Sequence, residues 1–252
     1  MMRRSMKKTA DEPRFRLRAP RVARVLAAFT FLVVLAYGST ASAQETRQEF
    51  WPEADIYAKL NDQYRFRFLA SLTRARDTAM NTEGTLEVDF DIGVKAFIRE
   101  RLRNLPDNHR GKYLTLRTGY AYIPSFGDGN DKEHRIVLEA TGRYPLPLDI
   151  LVSVRNRGDL RWINGDFSTR YRNRLRLERD FAFGIVRITP YLTGEAFYDF
   201  RKDLWTRFEF SAGAEIPLGR RPVIEFYYLR QNNIRSETQH VNAFGITFQW
   251  HM

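Results

Sequence analysis

Apolar and polar residues alternate along most of the chain. The clearest stretch is 85–99, where every even position from Leu86 to Ile98 is apolar and every odd position except Phe97 is polar or glycine. Successive side chains of a β-strand point to opposite sides, so a period of two predicts a strand with one apolar and one polar face. A helix over the same residues would mix the two classes on each face.

Ten further segments show the same alternation, which gives eleven candidate strands. No segment has the apolar spacing of an amphipathic helix, and no linker or low-complexity tract interrupts the pattern. These observations predict an all-β chain with a single domain. The ten segments are 54–60, 64–72, 114–122, 135–141, 148–155, 172–178, 186–196, 207–216, 224–228 and 244–250.

The connections between the candidate strands are alternately short and long. This asymmetry is typical of outer-membrane barrels, which have an even number of antiparallel strands. Eleven is odd, so we expect a single antiparallel transmembrane β-barrel of about 12 strands, in which residues 44–52 add a short strand. The alternative is 10 strands, if the first segment does not span. The short connections are 61–63, 145–147 and 217–220; the long ones are 73–83, 124–132, 158–168 and 231–239, with 100–111 long where a short turn is expected.

The direction of the apolar face separates a soluble barrel from a membrane barrel. A soluble barrel buries its apolar face, whereas a membrane barrel turns that face towards lipid and keeps polar side chains in its lumen. Alternation alone is compatible with both. The loop asymmetry, the many aromatic residues near strand ends and an N-terminal export segment favour the membrane barrel.

The N-terminus has the three parts of a secretory signal peptide. Residues 1–24 contain nine basic and two acidic residues, residues 25–37 are uncharged and mostly apolar, and Ala41-Ser42-Ala43 is an A-x-A cleavage site. An uncleaved anchor is the alternative, but the apolar run is shorter than the roughly 20 residues that a spanning helix needs. We therefore predict a cleaved signal peptide over 1–43, a barrel over 44–252 and a location in a Gram-negative outer membrane.

Charge and composition exclude several partners and sites. Most of the formal net charge of +11 belongs to the predicted signal peptide, and the rest of the chain has 32 basic and 28 acidic residues. The high pI therefore gives no reason to expect a nucleic-acid partner. The absence of cysteine excludes a disulfide scaffold, a thiolate metal site and a cysteine nucleophile. We expect no metal and no cofactor.

The last strand alternates large apolar residues with small or polar ones. It resembles the C-terminal strand of bacterial outer-membrane proteins, which the barrel-assembly machinery recognises. This resemblance implies that machinery as a partner during biogenesis and outer-membrane lipid as the final surroundings, and leaves the oligomeric state open. His251 and Met252 depart from the usual pattern, which ends on an aromatic residue. The residues that carry the resemblance are Phe244, Ile246, Phe248 and Trp250.

Four segments resemble a barrel family called domain of unknown function 2490. They are the opening FWPEAD at 50–55, LNDQYRFR at 60–67, the arginine-rich RYRNRLRLER at 170–179 and RQNN at 230–233. The resemblance covers most of residues 50–250. It implies an outer-membrane location and no established activity, so no catalytic residue is carried over.

The polar faces of the strands contain the candidate site. Alternation places Arg172, Arg174 and Arg176 on one lumen wall and Glu87, Asp89 and Asp91 on another. Rings or walls of charge set ion selectivity in pores. Buried opposite charges that pair hold a barrel in shape instead. We therefore predict either a small, passive, porin-like pore or a largely occluded barrel with a structural role.

An outer-membrane lipid hydrolase, similar to a deacylase or a phospholipase, is the rival hypothesis. Such enzymes use a serine activated by a histidine within hydrogen-bond reach. Here His134 and His240 lie near predicted strand ends, and Ser125 or Ser236 could approach them from other strands. No histidine stands two residues from a serine, so we expect no enzyme activity and name no catalytic residue.

Overall fold

The computed structural model describes residues 46–75, 81–97, 107–124, 126, 131–184, 186–234 and 240–252. The predicted signal peptide lies outside the described residues, as do Ser125 and Ser236. The described chain forms twelve β-strands and two short 3-10 turns, at Asn108–Gly111 and Pro147–Asp149. The strands are β1 Thr46–Lys59, β2 Tyr64–Ala75, β3 Asn81–Phe97, β4 Lys112–Pro124, β5 Lys132–Pro145, β6 Ile150–Ile163, β7 Asp166–Arg179, β8 Phe181–Phe183, β9 Val186–Asp199, β10 Leu204–Pro217, β11 Pro222–Asn233 and β12 His240–His251.

Eleven of these strands close into a barrel. From β1 to β7 and from β9 to β12 each strand pairs antiparallel with the next, and β7 pairs directly with β9. The first and last strands of an odd antiparallel series run in the same direction, so β1 and β12 pair parallel, from Thr46 beside His240 to Tyr57 beside His251. The all-β class and the total of about twelve strands are confirmed.

The extra strand is not where the sequence pattern placed it. Residues 46–52 belong to β1, which continues without a break to Lys59. The twelfth strand is the three-residue β8, which follows the end of β7 and pairs with the first residues of β9, Val186–Ile188. A short strand of this kind is too brief for alternation to reveal.

The connections define two rims. The C-terminal rim carries 60–63, 107–111, 146–149, 218–221 and the chain end, and the opposite N-terminal rim carries the start of β1 and the turns 164–165 and 200–203.

The prediction of a long loop at 158–168 is wrong. Asn164 and Gly165, both with positive φ (53° and 96°), make a two-residue turn between β6 and β7. Arg161 and Ser168 looked like loop residues because they are polar, but both are buried inside the barrel.

The apolar side chains face outward and the charged side chains face the interior, which is the reverse of a soluble barrel. Leu86 and Phe210 are each 58% exposed on the outer surface, whereas Asp89 and Asp91 are 1% and 0% exposed. An apolar exterior around a charged interior is the arrangement of an outer-membrane-type barrel. No helix in the described part of the chain has the length and apolarity to cross a membrane.

Tyrosine and glycine alternate along one inward row from β9 to β12. Tyr191 lies beside Gly213, Gly213 beside Tyr227, and Tyr227 beside Gly245. A Cβ at Gly245 would come within 2.0 Å of the Tyr227 ring, and one at Gly213 within 2.6 Å of the Tyr191 hydroxyl. The rings therefore lie flat over the glycines against the wall, which keeps their bulk out of the centre of the lumen.

Candidate functional site

The lumen contains a cavity of about 790 Å³. Among the described residues, fifteen arginines and thirteen carboxylates line it, and no lysine does. Arginine presents a planar fork that binds carboxylates through two parallel hydrogen bonds, so it suits a crowded ion-paired interior. The near balance of charges means that the arrangement of the pairs, rather than the total charge, decides what the lumen can do.

Glu87 and Asp91 of the acidic triplet on β3 accept hydrogen bonds from arginines on β2, β4 and β6. Asp91 accepts hydrogen bonds from Arg65 Nε on β2 (2.7 Å) and Arg117 Nε on β4 (2.6 Å). Glu87 accepts from Arg67 Nη2 (3.3 Å) and from Arg157 Nη2 on β6 (3.1 Å). Such pairs stabilise the wall only while both partners remain, because a buried charge without its partner is costly.

Asp89 is held in the same network and lies against the wall. Its carboxylate is 3.4 Å from Arg67 Nε and 3.6 Å from Arg117 Nη1. A Cβ added at Gly119 would come within 1.9 Å of Asp89 Oδ1, so this carboxylate occupies the space above a glycine on β4. Of the predicted acidic wall, Glu87 lines the cavity, whereas Asp89 and Asp91 are packed behind it.

The predicted basic wall on β7 lines the cavity and remains partly exposed to it. The side chains of Arg172, Arg174 and Arg176 are 16%, 33% and 19% exposed. Their carboxylate partners lie on β7 itself or on the next two barrel strands, β9 and β10. Arg172 and Arg174 both bind Glu195 on β9 (2.8 and 2.6 Å), and Arg176 binds Glu178 (2.6 Å) and Glu215 on β10. The structure therefore does not pair the β7 arginines with the β3 triplet.

The order of charges across the strands explains this difference. From β2 to β6 one row alternates in sign through Arg65, Asp91, Arg117, Glu139 and Arg157, each beside the next. Like charges directly opposite each other are destabilising, and alternation avoids them.

At β7 the alternation ends. Arg157 lies beside Arg172, and Arg155 lies beside Arg174. Glu195 then lies beside Glu209 on β10. Glu195 alone serves three guanidinium groups, those of Arg155, Arg172 and Arg174. The lumen therefore carries a block of positive charge on β6 and β7, followed by a block of carboxylates.

Cavity-lining carboxylates continue around the wall from β10 to β1. Glu225 accepts hydrogen bonds from the Tyr191 hydroxyl and from Gln249 Nε2 (3.2 Å), neither of which carries positive charge. Within the described residues, the side chain of Glu53 on β1 lines the cavity and makes no hydrogen bond or ion pair. Sequence reasoning missed Glu53, because no regular alternation was recognised before residue 54.

At the C-terminal rim, the turn that precedes β4 reaches into the lumen. We call residues 107–111 the strap. At one end, Asp107 Oδ1 is 2.5 Å from Arg65 Nη1 on β2. Further along, Arg110 donates to Glu178 (2.5 Å), Asp180 (3.1 Å) and Glu215 (3.4 Å).

Glu215 lies on β10, and four strands separate β10 from the β3–β4 connection in either direction around the barrel. Arg110 therefore crosses the mouth of the lumen. Sequence reasoning did not identify Arg110 or Asp107 as site residues, although the unexpected length of 100–111 marked the place.

The electrostatics of the strap favour the closed position at neutral pH. Burial alone would raise the pKa of Asp107, but the Arg65 guanidinium reverses this effect and holds that pKa well below its usual range. Burial, with a further contribution from Arg65, lowers the pKa of His109 from 6.5 to about 4. His109 is therefore neutral at pH 7, which allows its ring to be fully buried with no hydrogen-bond partner in the described part of the chain.

The histidines of the hydrolase hypothesis have other contacts. His134 Nδ1 is 2.6 Å from the Tyr120 hydroxyl on the outer surface, and His240 Nδ1 is 2.9 Å from Asn232 Oδ1. The two candidate serines lie outside the described residues, so their pairing with these histidines remains a prediction. Within the described ranges, no three histidine or acidic side chains are grouped to hold a metal ion.

The predicted assembly residues lie on β12 next to the parallel seam. Phe244 and Phe248 are 50% and 43% exposed on the outer face, and the Phe244 ring stacks 6.3 Å from Phe50 of β1. Ile246 and Trp250 follow the same alternation on that face. The role of this strand in assembly remains a prediction.

Comparisons with known proteins support the family resemblance. No curated protein matches the chain. Among solved structures, the crystal structure of the β domain of the Bordetella autotransporter Brka is similar, with 15% identity, 77% of this chain and 83% of that chain covered, and a TM-score of 0.40. The family model described as "Protein of unknown function (DUF2490)" matches residues 48–242, which confirms the resemblance seen in the sequence; the chain belongs to this family.

Proposed function

We propose that the protein is an integral outer-membrane barrel that acts as a narrow passive pore for small ions and polar solutes, and that it is not an enzyme. The observation that carries this proposal is the separation of charge in the lumen, with partly exposed arginines on β7 and carboxylates from β10 to β1. Opposed charges across a narrow water-filled passage create a transverse field that discriminates between ions.

The export segment and the apolar exterior support the outer-membrane location. In this proposal outer-membrane lipid surrounds the barrel, and the barrel-assembly machinery inserts it. The C-terminal rim then faces the periplasm, as is usual for such barrels. The strap therefore restricts the periplasmic mouth and keeps the conductance low.

A largely occluded barrel with a structural role is the second candidate. The contacts of Arg110 with three carboxylates favour it, because they hold the strap across the mouth. The two candidates differ in whether the wild-type barrel carries current.

The experiment is single-channel recording of refolded residues 44–252 in a planar bilayer. A heat-modifiable gel shift confirms folding of each preparation. We expect discrete low-conductance steps and a reproducible reversal potential in a salt gradient. A folded barrel that is silent, and stays silent after Arg110→Ala, would contradict the pore and favour the structural role.

A further inference from the structure

The outer face of the barrel has an unusual patch at mid-height of β6 and β7. Asn156 and Asn173 lie at the middle of their strands and directly beside each other. Their sequence neighbours Arg155, Arg157, Arg172 and Arg174 line the lumen, so the two asparagines point outward. Asn173 Nδ2 donates to Asn156 Oδ1 at 2.9 Å, and the Tyr171 hydroxyl donates to the same oxygen at 2.5 Å.

This pair leaves one amide nitrogen and one amide oxygen without a partner among the described residues. Within the described residues, Asn156 Nδ2 and Asn173 Oδ1 make no hydrogen bond. Water can satisfy such groups, but the hydrocarbon core contains none, and an unsatisfied polar group there is costly. In the proposed outer-membrane location, on which this inference rests, the two amides therefore require a partner at the centre of the bilayer.

Small residues lie beside the two amides on the neighbouring strands, while the larger Val154 and Leu175 lie next to them along their own strands. Ala140 lies beside Asn156 on β5, and Ala196 lies beside Asn173 on β9. Gly142 on β5 and Gly158 on β6 also face outward. We call Ala140, Asn156, Gly158, Asn173 and Ala196 the amide patch. By contrast, the outer faces of β2 and β3 carry Phe66, Phe68, Leu86 and Val88.

The fold itself does not require these outward glycines. A Cβ at Gly142 would meet no atom within 4 Å, and one at Gly158 would meet only the Leu138 carbonyl oxygen, at 4.0 Å. The inward glycines 119, 213 and 245 differ, since a Cβ at any of them would collide with the chain. Small residues on a lipid-facing surface allow a second backbone to approach closely.

We propose that the amide patch is the contact surface for a second copy of this chain, so that the barrel forms a two-fold dimer in the membrane. Two barrels side by side, related by an axis along the membrane normal, place β6 of one copy opposite β7 of the other. The free Asn156 donor of each copy then meets the free Asn173 acceptor of its partner. A two-fold contact of this kind needs a self-complementary surface, and a donor next to an acceptor is one.

The chain contains no cysteine, so a crosslink between two copies can form only through a single introduced thiol. Gly158→Cys lies next to the proposed axis, and the matched control Ala70→Cys lies on the outer face of β2, on the far side of the barrel. Each variant of 44–252 is refolded into liposomes, floated to show insertion, and treated with an oxidant or a short bismaleimide. We expect a homodimer band for Gly158→Cys at least about tenfold stronger than for Ala70→Cys.

The dependence on the amides is tested in the same assay. Adding Asn156→Leu and Asn173→Leu to the Gly158→Cys chain should reduce crosslinking about tenfold, the change expected from losing two hydrogen bonds between copies. A phenylalanine at position 158 projects into open space in its own chain but would block the approach of a second copy. Sedimentation in mild detergent should therefore show a folded monomer for Gly158→Phe and a dimer for Ala70→Phe.

Failure of the dimer and failure of the proposed location give different results. Chains that do not float with liposomes contradict the membrane location. Chains that insert but crosslink equally at 158 and 70, or that sediment as monomers, overturn the dimer and leave the location intact. In whole outer membranes, a Gly158→Cys adduct of a mass other than two copies would also overturn it, in favour of a different protein partner.

Discussion

Strands β3 and β7 stand on different sides of the same barrel and use charge in different ways. Glu87, Asp89 and Asp91 on β3 are 0–4% exposed and bind arginines from β2, β4 and β6. Arg172, Arg174 and Arg176 on β7 are 16–33% exposed and share a small number of carboxylates. The outer faces differ as well, because β3 presents Leu86 and Val88 where β7 presents Asn173.

The difference shows that the charged side chains of a strand can either stabilise the barrel wall or line the lumen. Where signs alternate from strand to strand, each ion is neutralised by its neighbours and becomes part of the packing. Where like charges adjoin, as Arg155 and Arg174 do, several guanidinium groups share one carboxylate and the side chains face the cavity. The β3 side therefore holds the barrel together, and the β7 side gives the lumen its polarity.

The largest expected effect is loss of an ion pair on the β3 side. Asp91→Ala leaves Arg65 and Arg117 buried without their shared carboxylate, which should lower the free energy of unfolding by about 3–5 kcal/mol. Urea unfolding in liposomes, followed by tryptophan fluorescence, measures this. The matched change on the β7 side is Arg174→Gln, which should cost well under half as much because Arg174 is one-third exposed. Equal losses would contradict the division between the two sides.

Two glycines provide the next test. Gly119→Ala puts a methyl group into Asp89 on the β3 side and should destabilise the barrel by about 1–3 kcal/mol. Gly194→Ala on β9, beside β7, makes only an ordinary contact with the Phe210 ring at 3.7 Å and should leave the free energy of unfolding almost unchanged. The same unfolding assay compares them. A tolerated Gly119→Ala would mean that the wall can relax around Asp89.

The strap connects the two sides, because Asp107 binds Arg65 and Arg110 binds Glu178 and Glu215. Arg110→Ala removes three carboxylate contacts and should increase single-channel conductance severalfold while the barrel stays folded. Arg220→Ala, in the exposed turn 218–221 of the same rim, is a control for simple loss of a positive charge nearby. An unchanged conductance after Arg110→Ala would show that the strap does not limit the passage.

The smallest expected effect is a pH dependence of the strap. The pKa of His109 is about 4 in the folded barrel and 6.5 when the group is exposed, so the unfolded or released strap binds more protons between these values. Stability of the closed strap is therefore complete above pH 6.5 and falls as the pH drops towards 4. Conductance should rise over this window in the wild type and less so in His109→Phe, whose side chain does not titrate. Parallel pH profiles for the two proteins would exclude His109 as the cause.

Alternation in the sequence predicted the features of the fold that depend on residues close together in the chain. The pattern from Leu86 to Ile98 predicted β3, which ends at Phe97, and the structure places Glu87 on β3 and Arg172 on β7 along the lumen cavity. The parallel closure between β1 and β12 was not predicted, because it depends on the strand count rather than on any local pattern. The tight turn at Asn164 was missed because lumen arginines resemble loop residues in the sequence.

The partners of the charges could not be predicted either. Nothing in the sequence assigns Glu87 to Arg157, which is 70 residues away, or Arg110 to Glu215, which is 105 residues away. These pairs depend on the register of neighbouring strands and on the path of the strap. The same limit applies to the amide patch, since Asn156 and Asn173 become neighbours only through the pairing of β6 with β7.

The most direct test of the account is the reversal potential of the barrel after neutralising the β7 arginines. Arg172→Gln, Arg174→Gln and Arg176→Gln together, in a barrel that passes the heat-modifiability control, should shift ion preference towards cations relative to the wild type. A triple variant that conducts with an unchanged reversal potential would contradict the claim that the β7 side gives the lumen its polarity.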